Sequence, residues 1–352
     1  MQDSTSREGT GIKRRSLLTA LAVSPLVLAG CMANQGKQSG PGEMSAFPVT
    51  VDHAFGSTKI DAAPQRIATI GYASHDACIA LGVVPVGVPQ YEERGFGTSL
   101  WFNKAVTSMN AATPGQYRVG KDLPLDELED LKPDVILAVN SGITRKQYEE
   151  LSRIAPVVAY PGEPFGTDWR TTTTTVGTVL GKPQAAQDLV RDVADGITKA
   201  KSSYDDLAGS TFLYMAASTA PGADFEVYGP DTNQVRILEE YGIVPAPVLQ
   251  EVVSAGKRRK VETGPAPYLW ESRRAGELVA DIYVVAVGDK DNIIKDGILD
   301  GLPGAQRGSL ALLKNSDDAL TLAEASPLGI KWATWTVLPE LARSAYLANS
   351  GR

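Results

Sequence analysis

Histidine and cysteine are nearly missing from this chain: each occurs twice in 352 residues. A high-affinity zinc site of the histidine-rich type wants three imidazoles, or a carboxylate in place of one. Nothing in the spacing brings His53 to His75, so no metal site is expected. Nucleotide signatures are also absent: there is no GxxxxGK[ST], and no GxGxxG after a strand. A GxSxG nucleophile elbow is missing as well. The N-terminal apolar run, Leu17 to Leu28, is too short for a bilayer of ~30 Å, which takes roughly 20 residues as a helix. Positive charge is the minority, 34 Lys and Arg against 41 Asp and Glu, which argues against a nucleic-acid surface.

What is present begins with an export signal. Lys13, Arg14 and Arg15 precede that apolar run, which closes on Leu28-Ala29-Gly30-Cys31. A basic segment, a short apolar segment and small residues at the cut define a secretory signal over residues 1–30. The LAGC tetrad resembles a lipobox, so Cys31 is the expected lipid anchor and first mature residue. Arg14-Arg15 before Ser-Leu-Leu also resembles a twin-arginine signal, which leaves the Sec and twin-arginine routes both open. Residues 31–46 are polar and Gly-rich without periodicity, and read as a flexible tether. Lipid chains on Cys31 would hold the protein on the outer face of the cell membrane. Without residues 1–30 the chain has 30 basic and 39 acidic residues, a net of −9. With Cys31 spent as an anchor, Cys78 has no partner for an intramolecular disulfide.

The remaining 322 residues exceed one comfortable core and suggest two lobes. Residues 47–60 alternate around a turn at Gly56 and read as a hairpin. Short apolar runs then alternate with helical stretches: RIATIG, VVPVGV, DVILAV and APVVAY, with helices at 76–81, 125–131 and around QYEELSRI. That alternation means an α/β sheet of mostly parallel strands. Residues 183–207 form a long helical pattern opened by Pro183, with Leu189, Val193 and Ile197 on one stripe. A second set of strands starts at TFLYMAAS, 211–218. ALGVVPVGV (80–88) and LEDLKPDVILAV (128–139) have counterparts in EYGIVPAPV (240–248) and AGELVADIYVVAV (275–287). The expected architecture is an N-terminal α/β lobe at 47–182, a connecting helix at 183–207 and a C-terminal α/β lobe at 208–352. Both lobes are Rossmann-like, with a ligand cleft between them.

One stretch invites a catalytic reading. IATIGYASHDAC places Ser74, His75 and Asp76 in a row. Members of a triad orient one another across space and come from different elements, whereas chain neighbours point apart. Ser74 reads better as a helix N-cap, Asp76 as a first-turn acid and Cys78 as packing. The turn itself lies at the carboxyl end of a parallel strand, where open α/β sheets bind ligands. The loops at that edge repeat aromatics and arginines, which suit a bulky anionic or metal-chelating ligand. Tyr72, Tyr91, Arg94, Trp101, Arg145, Trp169, Arg170 and Tyr228 are the candidates, with Trp332 reaching in from a C-terminal helix. Trp335, three residues on, reads as core. The basic run Lys257 to Lys260 reads as solvated, and Thr171 to Thr175 as local turn or helix without chemistry.

Several segments in order carry a family resemblance: PQRIATIGYASHDACIALGVVPVGVP, VGKDLPLDELEDLKPDVILAV, YEELSRIAPVVAY, NQVRILEEYGIVP, GELVADIYVVAV and GLPGAQRGSLALL. Across about residues 47 to 345 they resemble the ferric-siderophore-type (class III) substrate-binding proteins of ABC importers. The resemblance implies two α/β lobes on one rigid helix, a chelate between them, and no enzymatic activity or cofactor. Iron is then held by the siderophore, which is a hydroxamate, catecholate or citrate chelate; haem or cobalamin is the alternative ligand. It implies as partners a permease with its ATPase, docked through one acidic residue per lobe: Asp126 or Glu127, and Glu271. A monomer is expected. The zinc and manganese relatives depend on several histidines, which this chain lacks. The rival from another class is a secreted serine-type hydrolase working at Ser74.

Overall fold

The computed structural model describes residues 47–91, 98–120, 122–218, 220, 222–261, 264–287, 297–313 and 316–350. The opening hairpin forms as expected, with β1 (Val49–His53) antiparallel to β2 (Gly56–Ile60). It is tied to the first sheet where the Ala54 amide donates to the Tyr160 carbonyl at 2.8 Å.

That sheet contains β3 (Ile67–Thr69), β4 (Gly87–Tyr91), β5 (Gly115–Val119), β6 (Val135–Ala138) and β7 (Val157–Ala159). All pairs are parallel, in the order β5-β4-β3-β6-β7. β6 and β7 are buried on both faces, which is why DVILAV and APVVAY read as unbroken apolar runs. Ile136 and Ala138 pack into one apolar cluster, Val135 and Leu137 into another. Helices α1 (Ser74–Ala80), α2 (Leu100–Ser108), α3 (Leu125–Asp130), α4 (Arg145–Leu151) and α5 (Trp169–Val179) cover the faces. The chain leaves β3 for β4 on one side and takes up β6 on the other, so the switch point of the fold lies between β3 and β6.

Pro183 opens the long helix α6 (Pro183–Lys201), which buries Ala186, Val193 and Ile197. It stops six residues short of the expected end. Ser202 and Ser203 are weak helix formers, Tyr204 takes an extended φ of −138°, and Asp205–Leu207 winds as a 3-10 turn.

The second sheet contains β8 (Thr211–Ala217), β9 (Phe225–Val227), β10 (Val244–Pro245), β11 (Tyr268–Trp270), β12 (Ile282–Val287) and β13 (Leu310–Leu313). β8, β12 and β13 are parallel, and β10 pairs with the start of β8. β9 and β11 run antiparallel at the edge, so this sheet is mixed where the sequence suggested mostly parallel strands. Helices α7 (Asn233–Glu240), α8 (Val248–Ala255), α9 (Ser316–Glu324), α10 (Pro327–Thr336) and α11 (Leu338–Ser350) complete the lobe.

The C-terminal helices do not belong to the second sheet alone. Leu320 of α9 and Leu328 of α10 pack with Ile79, Val88 and Phe102 of the first lobe. Ile330 and Ala333, also on α10, face the second-lobe core. The segment assigned to the second lobe by sequence thus closes back over the first. Among the described residues no helix is long and apolar enough to cross a membrane.

Candidate functional site: a cleft between the lobes

Three loops leave the carboxyl edge of the first sheet, and each is shaped by the next. The Tyr72 amide donates to the Asn140 carbonyl at 2.7 Å, and the Phe165 amide to the Ser141 carbonyl at 2.9 Å. Such close approach needs glycine at two places. Gly71 has φ +89°, and a Cβ there would run into the Asn140 carbonyl oxygen; a Cβ on Gly142 would run into the Phe165 ring. Phe165 itself sits at φ +54°, a conformation costing of order 1–3 kcal/mol that persists only where the surroundings enforce it. Its ring packs 5.5 Å from that of Tyr72. Tyr72 is left only 1% exposed. The aromatic presented at the turn is therefore Phe165, and Tyr72 is packing beneath it.

Beyond these loops lies a cleft of about 540 Å³ bounded by both lobes. Gly142, Glu163 and Phe165 line it from the first lobe, and Asp231, Arg236 and Arg258 from the second. Arg236 reaches across and donates from Nη1 to the Gly166 carbonyl at 2.7 Å. Arg258 lies over the Tyr268 ring, 4.1 Å from its centre, and donates to the Tyr268 hydroxyl and to Asp231 at 3.1 Å. Held guanidiniums beside an aromatic edge offer directed donors to the oxygens of an anionic or chelating ligand. Glu163 and Asp231 give the same walls acceptors, which suits a ligand with both kinds of polar group.

The expected ligand residues whose side chains are described stand elsewhere, and none of them lines this cleft. Trp169 is buried, and its indole donates to Glu240 Oε1 at 3.0 Å. Arg170 stacks on Trp169 at 4.3 Å and donates to both oxygens of Glu240, at 2.9 Å for Nη2 to Oε2. These two clamp α5 to α7 across the lobes. Trp101 is buried and donates to Asp76 Oδ2 at 2.6 Å. Trp332 is half-buried against Trp101, with Lys104 Nζ 4.5 Å above its ring. Trp335, expected in the core, is 84% exposed. Tyr228 is buried edge-on against Tyr214. Arg145 is exposed over the Phe55 ring at 5.3 Å. Tyr91 ends β4, while its side chain, Arg94 and Cys31 lie outside the described residues.

The basic run is exposed, as expected, and it is also paired: Lys257 with Asp224 at 2.8 Å, Arg258 with Asp231, and Arg259 with Glu226 at 2.7 Å. These pairs fix the loop that brings Arg258 to the cleft. Phe165 and Arg258 were visible in sequence as a loop aromatic and a basic run. Arg236, inside the helical NQVRILEEYG, had no signal. Asp126 and Glu127 are exposed in the first turn of α3, whereas Glu271 is tied to Arg273 at 2.7 Å.

The Ser74-His75-Asp76 string is buried and begins α1. Ala73 occupies the N-cap at φ +64° with no side-chain cap bond, so Ser74 is a helical residue and not the cap. Asp76 accepts from Trp101 and from Ser326 at the start of α10, joining three helices. Burial pushes the Asp76 carboxyl above its ordinary pKa and the His75 imidazole below its own. Burial also pushes the Cys78 thiol up, which leaves it inert as a nucleophile.

Residues 67–246 match the family described as periplasmic binding protein. YfiY of Bacillus subtilis (strain 168), described as a probable siderophore-binding lipoprotein, is 27% identical over 234 residues, 65% of this chain and 67% of its own. PiaA of Streptococcus pneumoniae TIGR4, solved in complex with ferrichrome, gives a TM-score of 0.73 at 26% identity, covering 85% of this chain and 99% of that one. A periplasmic solute binding protein from Mycobacterium smegmatis str. MC2 155 gives 0.70 at 27% identity, over 84% of this chain and 98% of that one.

Proposed function

The chain belongs to the periplasmic binding protein family, and from that premise we propose that it is the extracytoplasmic substrate-binding component of an ABC importer for a ferric siderophore. The observation that carries this reading is the cleft between the lobes, where Arg236, Arg258 and Phe165 meet at the strand ends. Its likeness to a ferrichrome-bound protein over nearly that protein's whole length supports the same ligand class. The hydrolase reading falls away, because the family is one of binding proteins and Ser74, His75 and Asp76 are all buried on one helix.

The protein captures the chelate outside the membrane and delivers it to a permease driven by an ATPase. It acts as a monomer held by lipid on Cys31, after export by the Sec or the twin-arginine route. Asp126 and Glu127 on one lobe and Glu271 on the other meet the permease. The lobes close little on the ligand, since one helix and the clamps to Glu240 resist bending.

Titrating tryptophan fluorescence with ferric hydroxamate, catecholate and citrate chelates tests this. Saturable quenching by one class is expected. If none of them quenches while haem or cobalamin binds tightly, the ligand assignment is overturned.

A further inference from the structure

Three ionisable side chains meet where α1 of the first lobe packs against the α9–α10 corner, and the cleft uses none of them. His75 is 4% exposed, Asp76 0% and Glu324 3%. His75 Nε2 stands 3.7 Å from Asp76 Oδ1 and 3.7 Å from Glu324 Oε1. These separations are too long for hydrogen bonds between the groups. The bonds from Trp101 and Ser326 both go to Asp76 Oδ2, which fixes the carboxylate and turns Oδ1 toward the imidazole. Oδ1 is buried without a hydrogen-bond donor. Buried polar atoms of this kind are rare and call for a missing partner.

We propose that His75, Asp76 and Glu324 form a divalent-cation site of one imidazole nitrogen and two carboxylate oxygens, at the seam between the first lobe and the C-terminal helices. One ligand atom from each of the three lies within 4.8 Å of the others. A point about 2.5 Å from all three exists, so moves of a few tenths of an ångström reach the roughly 2.0–2.2 Å of zinc bonds to nitrogen and oxygen. A donor set of one imidazole and two carboxylates suits Zn²⁺ or Mn²⁺. The cation offsets two carboxylate charges that burial would otherwise disfavour. Scarcity of histidine excludes a site built on three imidazoles, but one histidine and two carboxylates from distant segments escape that argument. The ion would be structural. Because the seam is closed, it enters as α1 and α9 come together during folding, and it is separate from any iron held by a siderophore in the cleft.

Zinc tests the site directly. Protein expressed in Zn²⁺-supplemented medium and purified without chelator is expected to carry about one equivalent by elemental analysis. His75→Gln and Glu324→Gln are each expected to lose it. The chain has two histidines, so a His53→Gln protein has one imidazole, whose ring-nitrogen NMR signal should move between zinc-grown and zinc-depleted preparations. That measurement decides the matter even if the ligand variants fail to fold. A zinc-free protein from supplemented medium, zinc retained by both ligand variants, or an unmoved His75 ring overturns the proposal.

Discussion

Lys182 and Lys201, at opposite ends of α6, make the same bond to different lobes. Lys182 Nζ donates to the Leu81 carbonyl at 2.7 Å, and Lys201 Nζ to the Glu240 carbonyl at 3.1 Å. Leu81 caps α1 and Glu240 ends α7, and each helix is followed by a glycine at positive φ, Gly82 and Gly242. Cations at helix C-termini stabilise free carbonyls by about 0.3–1 kcal/mol. Lys182→Met and Lys201→Met should each lower unfolding stability in urea by about that amount. The double variant should show the sum, since the sites share no partner.

The clamp at Glu240 should matter more. Glu240→Ala strands the buried Trp169 indole and removes the bidentate partner of Arg170. A loss of about 2 kcal/mol is expected in denaturant unfolding. Glu240→Gln keeps an acceptor for the indole and should cost less. Equal losses would mean that the Trp169 bond contributes nothing.

Asp168 caps α5 and gives a pH dependence. Burial works against its charge, but the Thr171 hydroxyl and the amides of Thr171 and Arg170 donate to it and hold its pKa below the ordinary value. With the folded pKa depressed, the contribution is present above the unfolded pKa of ~3.9 and lost as pH falls through the folded value. Asp168→Ala should therefore cost about 1 kcal/mol at neutral pH, and the difference from wild type should shrink in acid. A gap that does not change with pH contradicts this account.

Arg258 and Arg236 should separate ligand contact from lobe spacing. Arg258→Ala is expected to weaken chelate binding about tenfold, ~1.4 kcal/mol, with little change in stability. Arg236→Ala removes the bond to Gly166 as well and should lower both affinity and melting temperature. Unchanged affinity in both variants would move the ligand out of this cleft.

Delivery is tested by charge. Reversal of Asp126 and Glu127 together, or of Glu271, should leave chelate binding intact while uptake by whole cells is lost. Glu271 is engaged with Arg273, so its reversal should have the smaller effect. Normal uptake in both would remove these carboxylates from the docking role.

The α/β class, the hairpin, the duplicated order and the long helix were all legible in the chain, because each rests on local periodicity and turn residues. The mixed edge of the second sheet was not, since antiparallel and parallel strands of three residues look alike. Apolar composition marked Trp101 and Trp169 only as large aromatics in loops. Their burial depends on Asp76 and Glu240, which are distant in sequence and reach them through the fold.

The sequence by itself determined where most strands and helices lie and that its segments follow a family order. Only the tertiary structure decided which side chains face the cleft and which brace it. It took Tyr72 beneath Phe165, because Gly71 and Gly142 let two backbones and a ring come closer than any other residue allows. It also drew His75 and Asp76 to Glu324 across the seam. Local pattern specifies hydrogen-bonded elements, whereas a site is made by contacts whose partners are tens to hundreds of residues apart.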